Sequence, residues 1–92
     1  MKVSVLITTA GKFRHFPPAN GEKYTLEELQ KAVGGNIEII RTPKGQLMII
    51  DEEGKFKDKG INWFASDVLV GIIGKNDVVV GDVVYCDPSL VD

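Results

Sequence analysis

Ninety-two residues, 43% of them hydrophobic and 26% charged, make one folded domain spanning 1–92 and exclude a disordered chain. The formal charge of −2 argues against a general nucleic-acid binder, which carries a basic excess. The halves differ, with +3 over residues 1–46 and −5 over residues 47–92, a polarity that eases self-association. A single cysteine, Cys86, excludes an internal disulfide and points to a reducing, cytoplasmic compartment.

Met1 to Thr9 alternates Val3, Val5 and Ile7 with Lys2, Ser4 and Thr8, which predicts a first strand rather than a signal peptide. Ala10-Gly11 turns the chain, and Lys12 to Phe16 returns as a second strand, stopped by Pro17-Pro18. PPANGEK reads as loop. In YTLEELQKAVGG, Thr25 is placed as N-cap with Glu28 completing a capping box, and Tyr24 with Leu29 forms a hydrophobic staple. Leu26, Leu29, Ala32 and Val33 make one apolar stripe, and Gly34 is set for a left-handed C-cap. Asn36 to Arg41 and Gln46 to Asp51 predict a hairpin around Pro43-Lys44-Gly45. The second of these strands is apolar from Leu47 to Ile50, which suggests a place well inside the sheet.

A charged stretch, DEEGKFKDKG, then leads into INWFASDV, where Trp63 to Val70 reads as a helical turn with Asn62 or Ser66 as cap. Val78 to Cys86 predicts a long last strand with a bulge at Gly81-Asp82, ended by Pro88. The order is strand, strand, helix, strand, strand, short helix, strand. This is an α+β fold, a mixed sheet of about five strands carrying one main helix, loosely β-grasp-like. No segment approaches the length of apolar chain needed to cross a membrane.

Little chemistry survives inspection. One histidine and one cysteine do not make a zinc cluster, and no cofactor is implied. Cys86 ends an apolar strand and reads as a buried structural thiol, while His15 reads as a surface or edge residue. Residues 51–62 have a calcium-loop flavour but place Lys55 and Lys57 at ligand positions. GIIGK, Gly71 to Lys75, resembles a backbone-clamping GxxG loop with apolar centre. Asp51, Glu52 and Asp82 are the acids an enzyme would need to bring together, and a solvated surface is the plainer reading of them.

The remaining feature is the aromatic pair after the charged loop. Trp63 and Phe64 either anchor that loop to the core, with Trp63 mostly buried, or wall a binding site. The anchor is the expectation, with Asn62 holding the loop through backbone hydrogen bonds. In the alternative, Asn62 supplies a donor and an acceptor, and Arg41 adds a cation for phosphate or carboxylate.

YTLEELQKAVGGNIEIIR, the DEEGK turn, Asn62 with Ala65, and VVVGDVVYCD together resemble the family called domain of unknown function 3846. The resemblance implies a phage or mobile-element origin and carries no established activity. The positions that match its pattern are Gly34, Gly35, Glu38, Asp51, Glu52, Gly54, Asn62, Gly81 and Asp82. Asn62 and the acids are the matching positions that folding explains least, so Asn62, Trp63, Phe64, Arg41, Asp51 and Glu52 are the binding candidates. The expected role is a non-enzymatic protein that binds a host protein or itself as a homo-oligomer. The alternative is sequestration of a nucleotide signal.

Overall fold

The capping residues around YTLEELQ do what their spacing predicts. In a computed structural model of the chain, which describes residues 2–74 and 77–92, helix α1 spans Leu26–Val33. Thr25 Oγ1 accepts the Glu28 N–H at 3.1 Å, and Glu28 Oε1 accepts the Thr25 N–H at 3.1 Å. Gly34 ends the helix at φ 88°, with its N–H on the Gln30 carbonyl. Tyr24, Leu29 and Val33 are buried in one cluster, but Leu26, expected on the same stripe, is mostly exposed. Tyr24 folds in ahead of the first turn and takes that end of the core, leaving Leu26 outside it.

Among the described residues five strands form one sheet: β1 Ser4–Ile7, β2 Phe13–His15, β3 Ile37–Arg41, β4 Leu47–Asp51 and β5 Val83–Cys86, in the order β2-β1-β5-β4-β3. Every pairing is antiparallel, which corrects the expectation of a mixed sheet. The reason lies in the connections. β1–β2 and β3–β4 are hairpins, and α1 carries the chain from one edge of the sheet to the other, so it never joins neighbouring parallel strands. The β-grasp likeness, drawn from element order, does not extend to strand direction. β5 enters last and fills the centre.

Alternation then sorts the side chains onto two covered faces. Leu47, Ile49, Val84 and Cys86 face α1 with Tyr24, Leu29 and Val33. Ile7, Met48 and Val83 face a second layer made by helix α2, Trp63–Val68, and the single turn α3, Val70–Ile73, through Ala65 and Leu69. β4 is flanked by β5 and β3 and covered on both faces, as its apolar run predicts.

The expected long last strand is broken. Only Val83–Cys86 joins the sheet, while Val80 makes an isolated bridge with Ile61. Gly81, at φ 81°, turns the chain between them, and its N–H bonds the Gly60 carbonyl. The interruption foreseen at Gly81-Asp82 is therefore a change of partner rather than a bulge in one strand. No helix among the described residues is long and apolar enough to cross a membrane.

Candidate functional site

Asn62 sits at the N-terminus of α2, where its side chain caps the helix. It is 1% exposed. Its Oδ1 accepts the Ala65 N–H at 3.1 Å, and its Nδ2 donates to the Ile7 and Gly81 carbonyls at 3.0 Å each. The Asn62 N–H donates to the Val79 carbonyl. Ser66, one turn on, accepts the Val79 N–H at 2.7 Å and donates to the Asn62 carbonyl at 2.8 Å. One buried amide and one buried hydroxyl thus tie α2 to β1 and to the segment that leads into β5. An amide with its donors and acceptor so occupied offers nothing to a ligand.

The charged loop is fastened in the same neighbourhood. Asp51 ends β4 on the α1 face, and its carboxylate is buried. Lys57 Nζ and Lys59 Nζ both bond Asp51 Oδ2, at 2.8 and 2.6 Å. The same two ammonium groups donate to the Gly34 and Val33 carbonyls at the end of α1. Cations at a helix C-terminus are favourable, so each lysine joins the helix end to the buried acid. Burial pushes the Asp51 carboxyl up, but hydrogen bonds from Lys57, Lys59 and the Glu53 N–H outweigh it and hold the group at about 2. Asp51 is a fixed anion at neutral pH, unsuited to moving a proton. The glycines belong to this knot: a Cβ on Gly35 would collide with Lys57 Nζ, and one on Gly81 would lie 2.9 Å from Lys59 Cδ.

The aromatic pair does not anchor the loop. Trp63 is 68% exposed and Phe64 40%, which overturns the expected burial of Trp63. The reason is helical phase. In α2 the sheet-facing positions belong to Ala65, Ser66 and the following Leu69, so Trp63 at the first position points outward. Phe64 leans toward the sheet edge and meets Phe13 of β2 edge-to-face, with ring centroids 4.7 Å apart. Beside it opens a cavity of about 250 Å³ walled by Thr42, Pro43, Lys44, Phe64, Val68 and Tyr85. Val70 and Ile72 of α3 are also exposed.

The structure brings Phe64 against Phe13, which the sequence did not single out, and turns Arg41 and Asp51 to the other side of the sheet. Arg41 pairs with Leu47 and so projects on the α1 side of the sheet, where its guanidinium bonds the Gly45 carbonyl. Asp51 is enclosed by its lysines. Glu52 is exposed and borders a cavity of about 190 Å³, whereas Asp82 accepts the Thr9 N–H and borders a different one of about 370 Å³. Asp82 therefore lies apart from Asp51 and Glu52, which border one cavity together with Glu38 and Asp77. Cys86 is fully buried, with burial pushing its thiol up to about 12, and His15 lies exposed on β2. In GIIGK, Gly71 closes into α3 and Lys75 lies outside the described residues. Phe13 had one usable sequence signal: strand alternation puts it on the same face as Ile7.

The family model "Domain of unknown function (DUF3846)" matches residues 1–90. No curated protein and no solved structure matches the chain.

Proposed function

This chain belongs to the DUF3846 family, and from that premise we propose that it is a non-enzymatic binding protein of phage or mobile-element type, cytoplasmic, that engages a host protein or a second copy of itself. The observation that carries the reading is Trp63, 68% exposed on a capped helix whose buried side is already complete. Large aromatic side chains on a rigid element, at low entropy cost, are the common anchors of protein interfaces. Phe13, Phe64 and the groove toward Tyr85 extend the surface. Against a nucleotide-sequestering role stand the occupied Asn62 amide and Arg41, which projects from the other side of the sheet.

The experiment compares the wild type with Trp63→Ala and Phe64→Ser. Complex formation with a host protein is followed by capture from lysate, with the captured protein then purified and titrated directly. The expected result is a complex made by the wild type and weakened at least tenfold by either substitution, at unchanged secondary structure. A complex indifferent to both substitutions overturns the assignment of this face. Quenching of Trp63 fluorescence by a nucleotide would instead favour the sequestering role.

A further inference from the structure

We propose that two copies of this chain join through β3, edge to edge, into one continuous antiparallel sheet. β3 is an outermost strand, and among the described residues nothing pairs with its outer side. Thr42 donates to the Gln46 carbonyl and Asn36 accepts from the Glu52 N–H, so residues of even number between them turn their backbone groups toward β4. The N–H and C=O groups of Ile37, Ile39 and Arg41 therefore point outward. A bare row of this kind is a template for another strand.

The row is self-complementary in one register. With Ile39 opposite Ile39 of the second copy, Ile37 stands opposite Arg41 at both ends, and each outward residue faces another outward residue. All three pairs can exchange both of their backbone hydrogen bonds. Ile39, 44% exposed, meets its own copy on the α1 face, and Glu38 on the other face stands opposite Ile40, so no like charges are directly opposed. Slipping the register one way sets Glu38 against Glu38. Slipping it the other way sets Pro43, which has no N–H, against Ile37.

The second edge of the sheet lacks these properties. β2 has only three residues, and pairing two copies about its central Arg14 sets two cations directly opposite, a destabilising arrangement. Short, charged edges are the usual protection against association. β2 is blunted and β3 is not. Self-association then belongs to β3, leaving the aromatic face of α2 for a different partner.

Sedimentation velocity of the purified protein over a wide range of concentration tests this. A monomer–dimer equilibrium is expected, with Ile39→Lys weakening dimerisation at least tenfold and Trp63→Ala leaving it unchanged. Because Ile39→Lys can also act by disturbing the sheet, Ile39→Cys provides a second arm. In the native fold it should oxidise to a covalent dimer, Cys86 being buried, whereas Arg14→Cys should not. A wild type that stays monomeric throughout, a dimer abolished by Trp63→Ala, or cross-linking through Arg14→Cys in preference to Ile39→Cys would each overturn the proposal.

Discussion

At the scale of single residues, Asn62 and Trp63 exchange the roles their chemistry suggests. The polar side chain is the structural one. Asn62→Ala removes a helix cap and strands two buried carbonyls, so a loss of about 2 to 4 kcal/mol is expected, read from the urea unfolding midpoint. A shift equivalent to less than about 0.5 kcal/mol, the range of an ordinary surface change, would contradict the network described here. Trp63→Ala leaves no cavity in the core, and its cost should be about 1 kcal/mol or less, measured the same way. Asp51 gives a prediction in pH. Its folded carboxyl is held at about 2, below its ordinary value of 3.8, so its contribution is fully present above the unfolded pKa and is lost as pH falls through the folded one. Acid unfolding between about pH 4 and pH 2 should therefore be less steep in Asp51→Asn than in the wild type. Equal slopes would show that the two lysines do not favour the charged form.

At the scale of elements, turns and caps act where a backbone sign or a close approach demands glycine. Gly34 and Gly81 both have φ near +85°, at 88° and 81°, and both lie against the Lys59 side chain. Gly81→Ala meets a left-handed backbone and a 2.9 Å approach at once, and should cost about 1 to 3 kcal/mol. If thermal melting shows no loss, Lys59 must swing clear without giving up Asp51. α2 is held differently from α1. α1 is fixed by a capping box and a glycine stop written into adjacent residues, whereas α2 depends on carbonyls supplied by Ile7 and Gly81, far away in sequence. Local spacing announces the first and can announce only the cap of the second.

At the scale of the whole molecule, one sheet divides two hydrophobic clusters, with α1 over one face and α2 and α3 over the other. Cys86 lies on the α1 side of the central strand, fully buried, with burial pushing its thiol up to about 12. Its reaction with a thiol reagent should therefore follow global opening of the domain and accelerate with urea in step with unfolding. Modification of the native protein at the rate of a free thiol would mean that the central strand opens separately. What the sequence by itself determined was α1, the β3–β4 hairpin, the buried place of β4 and the buried cysteine, because caps, alternation and turn residues act over a few neighbours; at Gly81-Asp82 it marked the interruption but not the change of partner. Only the tertiary structure decided that β5 lies between β1 and β4 and makes the sheet antiparallel throughout, since strand order is set by contacts between distant segments. It also decided the two misleading positions, Trp63 and Asp51. A large apolar residue is buried only if its helix turns that face to the core, and α2 gives its buried face to Ala65, Ser66 and Leu69. An acid at the start of a charged loop is exposed only if nothing closes over it, and Lys57 and Lys59 close over Asp51 while bonding the carbonyls at the end of a helix that the chain left many residues before.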